Sequence, residues 1–259
     1  MEVRGKVAIV TGAGGGGSGR AIAKRLARQG VSVVVNDIDE AGGRETARQI
    51  EAERGKAVFF QADVSIESQI KTLIAFAESA LGGLDILVHS AGAHFFERSF
   101  GKLVRNDTRQ LDGLRFRHSS RYRIYAQARW RRDCEFQFHF CAGTRTKAFP
   151  LACIRHCQSR DYSLTTTMAW LQEKERIRIN CIVPAWIASE EVKEFWEELT
   201  PQQRKELGAP EVLLTLDEIA DAVLELITND NLAGRVMVLW NGEPRRLIAE
   251  GDPGYAKFE

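Results

Sequence analysis

The spacing of apolar residues over the first 90 positions predicts strands that alternate with helices. Four short apolar runs, rich in β-branched residues, are typical of strands buried on both faces; they cover 7–10, 31–35, 57–60 and 84–88. Apolar residues at helical spacing follow the first and third of these runs, over 21–26 and 65–81. Strands and helices in this alternation imply right-handed crossovers. The fold class predicted is therefore α/β, a Rossmann-type doubly wound parallel sheet flanked by helices.

The same alternation returns near the C-terminus. The run 177–183 is typical of a strand, and 235–240 is predicted to be the last strand. Between them, Thr215 begins a helix through a Thr-x-x-Glu capping box that ends at Glu218. The apolar stripe of this helix is Ile219, Val223, Leu226 and Ile227.

Length and composition favour one domain. A chain of 259 residues suits a single α/β domain over 1–259, within which 188–212 are predicted to form a helical lid over the substrate. The formal net charge of +1 and the hydrophobic content of 44% indicate neither disorder nor a globally basic surface. The start lacks the features of a signal peptide, no apolar run approaches a membrane span, and the five cysteines are an odd number. These features favour a cytoplasmic protein with reduced thiols and no membrane partner.

A glycine-rich loop at 11–19 lies between the first predicted strand and the first predicted helix. Binding of a diphosphate needs backbone N–H groups and a helix N-terminus close to the ligand, where a Cβ would collide with it. The predicted contacts are Gly12, Gly17, Ser18 and Gly19. A glycine-rich turn can also be only a flexible connection.

Asp37 supports the reading as a dinucleotide site. It ends the second predicted strand 18 residues after Gly19, where a carboxylate can accept both hydroxyls of the adenosine ribose. A carboxylate there repels a 2′-phosphate, and no Lys or Arg lies inside the glycine run, so NAD is favoured over NADP. The alternative is a solvated aspartate at a strand end.

These motifs, in this order, resemble the short-chain dehydrogenase/reductase family. The family's TGxxxGxG is similar to 11–19 with one extra residue, LVHSAG at 87–92 is similar to its Asn-Asn-Ala-Gly motif, and INCIVPAWI at 179–187 is similar to the segment whose Pro-x-x-Ile contacts the nicotinamide amide. The resemblance covers about 5–100 and 165–240. It implies further cofactor contacts at Ile38, Asp63, Val64, Ser90, Ala91, Gly92, Pro184 and Ile187.

The chain departs from the family at several places. His89 and Ser90 replace the two asparagines of the fourth-strand motif, and Trp240-Asn241-Gly242 replaces the family's Asp-Gly-Gly. The family also uses a Tyr as general acid/base, a Lys four residues later that lowers its pKa, and a Ser that orients the substrate. This chain has no Tyr-x-x-x-Lys. Tyr125 and Arg129 have the spacing, but they lie about 25 residues too early, and Arg does not give up its proton as Lys can.

In the segment 104–163 the apolar residues follow neither the helical nor the strand period, and the segment is dense in arginine and cysteine. We hypothesise that it is translated out of frame. A single one-base offset can restore three family motifs in the expected order. In the restored frame, the family's helix Asn falls at Gln110, its catalytic Ser at Phe138, its Tyr at Ile154 and its Lys at Gln158. The chain as written should then be inactive and should fold poorly, because an arginine-rich sequence cannot bury an apolar face.

The predicted function is an NAD(H)-dependent oxidoreductase that interconverts a secondary alcohol and a ketone in the restored frame, with a small-molecule substrate. The family resemblance implies a homo-oligomer, a dimer or tetramer. One alternative is a catalytically dead NAD-binding sensor or scaffold. A second is nucleic-acid binding by the arginine- and aromatic-rich segment 115–132. No metal is expected, since the cysteines and histidines at 134–157 form no paired Cys-x-x-Cys pattern.

Overall fold

The structure is a computed structural model that describes residues 1–91, 136–137, 165–166, 168–207 and 209–249. Several sequence predictions lie outside these residues. They are Gly92, Gln110, Phe138, Ile154, Gln158, the arginine-rich segment 115–132 and, apart from 136–137, the segment predicted to be out of frame.

A parallel sheet forms the centre of the molecule. Its strands are β1 Val7–Thr11, β2 Ser32–Asp37, β3 Lys56–Gln61, β4 Ile86–His89 and β5 Phe136–Gln137. Their order is β3-β2-β1-β4-β5, and every neighbouring pair is parallel. The strand order reverses between β1 and β4, which is the switch point of a doubly wound sheet.

A second sheet contains the C-terminal strands β6 Asn180–Pro184, β7 Arg235–Leu239 and β8 Arg246–Leu247. The pair β6–β7 is parallel and β7–β8 is antiparallel, and β6 lies against β5. The prediction that 235–240 is the last strand is wrong, because β8 follows it. A strand of two residues carries no period that a sequence pattern could reveal.

The helices are α1 Ser18–Arg28, α2 Glu40–Ala52, α3 Glu67–Leu81, α4 Leu171–Glu175, α5 Glu190–Glu198, α6 Pro201–Leu207 and α7 Leu216–Thr228. None of those within the described ranges has both the length and the apolar character of a membrane span. The predicted 65–81 and 177–183 begin two and three residues before α3 and β6.

Alternate residues of β1 face opposite layers of the molecule. Val10 belongs to a core with Ile22 of α1 and Leu226 of α7, whereas Ile9 belongs to a second core with Leu73 of α3. Helices therefore cover both faces of the sheet, which confirms the predicted doubly wound α/β fold. Because the larger core combines residues from both ends of the sequence, the N- and C-terminal parts fold together.

The predicted capping box of α7 is present. The Thr215 side chain accepts a hydrogen bond from the Glu218 N–H, and the Glu218 carboxylate accepts one from the Thr215 N–H at 2.7 Å. All four residues of the predicted apolar stripe are buried: Ile219, Val223, Leu226 and Ile227. The capping box thus fixes the first residue of α7. The apolar face of this helix packs on α1.

Candidate functional site

The carboxyl ends of β1, β2 and β4 meet at one edge of the central sheet. Thr11 is paired in register with Asn36 on one side and with His89 on the other. The glycine loop, Asp37 and the segment 90–91 follow these strand ends and are therefore neighbours. Ligands of doubly wound sheets bind at this edge, beside the switch point.

Two glycines of the loop are required by the protein's own packing. Gly12 has φ +67°, and a Cβ there would lie 2.6 Å from the Ala91 Cα. A Cβ on Gly19 would lie 2.2 Å from the Gly12 carbonyl oxygen. Because glycine has no Cβ, these two predicted contact residues let α1 and the end of β4 pack close to the loop, with or without a ligand.

Gly17 is different, because a Cβ built on it meets nothing within 4 Å. Gly17 is also the N-cap of α1, and no side chain there accepts a hydrogen bond from the first turn. Uncapped N–H groups at a helix N-terminus form an anion site. The space around Gly17, next to Ser18, therefore suits a diphosphate.

Side chains behind the loop bind its carbonyl oxygens. The Thr46 hydroxyl donates to the Ala13 carbonyl at 2.7 Å, and the Arg20 guanidinium donates to the Gly14 carbonyl. Arg20 Nε also donates to the Thr46 hydroxyl at 2.8 Å. Thr46 of α2 and Arg20 of α1 thus hold the loop through its carbonyl oxygens. Arg20 directly follows the glycine run, but sequence analysis did not identify it, since its partners come from elsewhere in the chain.

Asp37 is half-buried and bonded to the same loop. Its Oδ2 accepts from the Gly14 N–H at 2.7 Å, and its Oδ1 accepts from the Asp39 N–H at 3.0 Å. An ionised carboxylate has about four acceptor sites, so capacity for ribose hydroxyls remains. The structure gives Asp37 a second role, which is to hold the loop.

Other predicted contacts lie at the ends of β2 and β3. Ile38 directly follows Asp37 and is 61% exposed, which is unusual for a large apolar side chain. Val64 is buried, and the Asp63 carboxylate accepts from the Ser65 N–H at 2.8 Å. Ile38 therefore offers an apolar surface beside Asp37 that an aromatic base could cover.

His89 is buried at the end of β4, where the family motif has asparagine. Its Nδ1 lies 2.9 Å from the Thr11 hydroxyl oxygen, which also accepts from the Ala91 N–H at 3.2 Å. His89 and Thr11 thus connect β1 to the chain that leaves β4. Ser90 and Ala91 are only half-buried at this edge.

The predicted nicotinamide segment begins where β6 ends, at Pro184. The N–H groups of Ala185 and Ala188 donate to the carbonyls of Leu239 and Leu214. Within the described part of the chain, the Ile187 N–H has no hydrogen-bond partner. This backbone donor can serve a ligand.

Glu190 is a further residue of the site that sequence analysis did not identify. It lies in the first turn of α5, and its Oε2 would be 3.4 Å from a Cβ on Gly16. A carboxylate of the predicted lid segment therefore lies against the glycine loop. Across the described ranges, no group of three or more His, Cys, Asp or Glu could hold a metal ion.

Comparison with known proteins agrees with this geometry. A family model described as short chain dehydrogenase matches residues 6–111. A solved 7α-hydroxysteroid dehydrogenase, in complex with NADH and 7-oxo glycochenodeoxycholic acid, superposes with a TM-score of 0.75 at 25% identity over 95% of this chain and 98% of that one. The N-terminal part of the chain is thus similar to short-chain dehydrogenases in sequence, and the whole chain is similar to one of them in fold.

Curated members of the family match over a shorter stretch. The chain is 41% identical over 87 residues to a diacetyl reductase [(S)-acetoin forming] of Staphylococcus epidermidis, which is 34% of each chain. It is 40% identical over 92 residues to the 7α-hydroxysteroid dehydrogenase of Escherichia coli, which is 36% of each. The chain therefore aligns with only about a third of the length of these curated family members.

Proposed function

We propose that this chain is a short-chain dehydrogenase/reductase that binds NAD(H) and, in the restored reading frame, interconverts a secondary alcohol and a ketone. The observation that carries the proposal is the open, uncapped N-terminus of α1 at Gly17, beside a carboxylate that ends β2. The NADH complex of the superposed hydroxysteroid dehydrogenase supports the same cofactor. When bound, the nicotinamide supplies the hydride that is transferred.

The described residues fit each part of the dinucleotide. The first-turn N–H groups of α1 and the positive end of its dipole would hold the diphosphate. Asp37 would accept the ribose hydroxyls, while the exposed Ile38 would cover the adenine ring. The Ile187 N–H would donate to the carboxamide of the nicotinamide.

Charge favours NAD over NADP. The Asp37 carboxylate would repel a 2′-phosphate on the ribose that it binds. Arg20 is the cation nearest in sequence to the loop, and its guanidinium already donates to the Gly14 carbonyl and to Thr46. A 2′-phosphate would therefore meet the negative charge of Asp37, while Arg20 is already hydrogen-bonded to other groups.

Proton transfer in this proposal belongs to the residues of the restored frame. The Tyr in place of Ile154 would exchange a proton with the substrate oxygen, the Lys in place of Gln158 would lower the pKa of that Tyr, and the Ser in place of Phe138 would orient the substrate. The chain as written lacks these groups. Binding without turnover is therefore the second candidate function, a sensor or scaffold.

The substrate class is part of the proposal. The names of the relatives refer to diacetyl and to hydroxysteroids, and a small alcohol or ketone is the class they share. A homo-oligomer, a dimer or tetramer, is proposed on the family resemblance alone.

Two glycine variants test cofactor binding. In Gly17→Ala the new Cβ meets no protein atom but enters the diphosphate space, so we expect NADH affinity to fall about tenfold or more while the unfolding midpoint stays nearly unchanged. Gly15→Ala is the matched control, because its Cβ also meets nothing within 4 Å. Calorimetric titration with NADH and NADPH measures both variants and the preference for NADH. Wild-type protein that shows a cooperative unfolding transition but binds neither dinucleotide at millimolar concentration would overturn the proposal, as would equal affinities in the two variants.

A further inference from the structure

We propose that Asn241 is a positioning residue for the nicotinamide end of the cofactor. Its side-chain amide fixes the peptide group between Trp186 and Ile187, so that the Ile187 N–H points at the carboxamide oxygen. The inference rests on the proposed function, because it assumes that a nicotinamide lies beside this segment.

The side chain of Asn241 makes two hydrogen bonds to one residue. Its Nδ2 donates to the Trp186 carbonyl at 2.7 Å, and its Oδ1 accepts from the Trp186 N–H at 3.1 Å. The Trp186 carbonyl also accepts from the Leu214 N–H at 2.8 Å. The Trp186 carbonyl oxygen is therefore held by two donors from different parts of the chain.

The geometry of the peptide group passes this restraint to Ile187. The carbonyl of Trp186 and the N–H of Ile187 belong to the same planar trans peptide, in which they point in opposite directions. Because the oxygen is fixed by Asn241 and Leu214, the direction of the N–H is fixed as well.

The Ile187 N–H itself has no acceptor among the described residues, and Ile187 is only 1% exposed. A buried N–H without an acceptor costs free energy, and such groups are rare in folded proteins. The neighbouring N–H groups of Ala185, Trp186 and Ala188 all have partners. One donor in this segment thus remains for a ligand, and Asn241 sets its direction.

An amide side chain suits this role for a chemical reason. Asparagine carries a donor and an acceptor together, whereas an ionised aspartate only accepts. Asn241 follows the end of β7, and the next residue, Gly242, has φ +75°, which lets the chain turn away at once. The side chain thereby continues the β6–β7 hydrogen bonding beyond the last paired residues, Pro184 and Leu239.

The test compares two ligands on the full chain. NADH carries the nicotinamide, and ADP-ribose shares its adenosine diphosphate ribose but lacks the ring. In Asn241→Ala we expect NADH affinity to fall about tenfold and ADP-ribose affinity to stay within about twofold, since only the nicotinamide contact is misaligned. Asn241→Asp keeps the bond from the Trp186 N–H but replaces the donor to the Trp186 carbonyl by a repelling carboxylate oxygen, so its loss of NADH affinity should be at least as large as that of Asn241→Ala, again with ADP-ribose affinity nearly unchanged.

Asn231→Ala is the matched control, because Asn231 is exposed and, among the described residues, its side chain makes no hydrogen bond to the site. Thermal unfolding of each variant reports whether the fold is retained. An equal loss of both ligands in Asn241→Ala and Asn241→Asp would show a merely structural role and overturn the inference, as would unchanged NADH affinity. Wild-type protein that binds neither ligand would overturn the proposed function and the inference with it, whereas binding of ADP-ribose as tight as that of NADH would overturn the inference alone.

Discussion

Glu190 places a negative charge where the proposed cofactor carries its own. Its carboxylate lies over Gly16, at the centre of the glycine loop. On its own helix the charge is favourable, since acidic residues stabilise the first turn of α5 through the helix dipole. Toward a diphosphate the same charge is repulsive.

Neutralising this carboxylate should therefore strengthen binding. In Glu190→Gln we expect NADH affinity to rise about two- to fivefold at low salt, and the gain to shrink at high salt, because screening weakens the repulsion. Glu191→Gln removes the other acidic charge of the same turn and serves as the control. Titrations at two salt concentrations measure both variants. Equal effects of the two substitutions would contradict the role given to Glu190.

At the scale of elements, an ion-pair cluster joins α1 to the C-terminal end of α2. The Glu53 carboxylate accepts from Arg28 Nε at 2.7 Å and lies 3.0 Å from Lys24 Nζ. The Arg28 hydrogen bond, followed by that of Lys24, lowers the pKa of Glu53 to about 2. The two helices that flank β2 are thus coupled through a carboxylate that stays ionised in acid.

This pKa predicts a pH dependence of stability. Because the pKa is lower in the folded state, the contribution of Glu53 is complete above its usual value of 4.5 and is lost as the pH falls toward about 2. Glu53→Gln should lower the unfolding midpoint near neutral pH by a small amount, since the pair is partly exposed, and the difference from wild type should vanish near pH 2. Glu51→Gln, on the same helix, provides the comparison. A difference that is constant with pH would refute this reading.

For the whole molecule, the main question is what the segment 104–163 contributes. The described residues on either side of it form one core, in which α7 packs on α1. The family model stops at residue 111, shortly after the start of the segment. The end of the family match agrees with the out-of-frame hypothesis, which stays a prediction.

Restoring the frame across codons 104–163 should recover both folding and turnover. We expect the unfolding midpoint to rise by about 10 °C or more, since several kcal/mol of core packing would return. NAD-dependent oxidation of simple secondary alcohols, followed by NADH absorbance, should appear only in the restored chain. Changing the restored tyrosine in place of Ile154 to phenylalanine is the control and should abolish turnover but not NADH binding. Turnover by the chain as written would contradict the hypothesis, and the nucleotide sequence across codons 100–168 would test it directly.

Much of this architecture was predictable because its signals are local. The β-branched runs of β1 and β2, the helical period of α3 and the Thr215–Glu218 capping box each depend on residues within a few positions of one another. The glycine loop and Asp37 were found in the same way, since a strand-loop-helix unit keeps them at a constant spacing. Their contacts with a ligand stay predictions.

The contacts that organise the site came only from the tertiary structure. Arg20 and Thr46 are 26 residues apart, and Asn241 and Trp186 are 55 apart, so no local period links either pair. Glu190 meets the glycine loop only because the tertiary fold brings the first turn of α5 beside Gly16. The sequence alone thus determined which elements form and which segment resembles a dinucleotide loop, because these depend on neighbouring residues. Packing of distant elements decided how that loop is held, which N–H groups remain available and which charges face them.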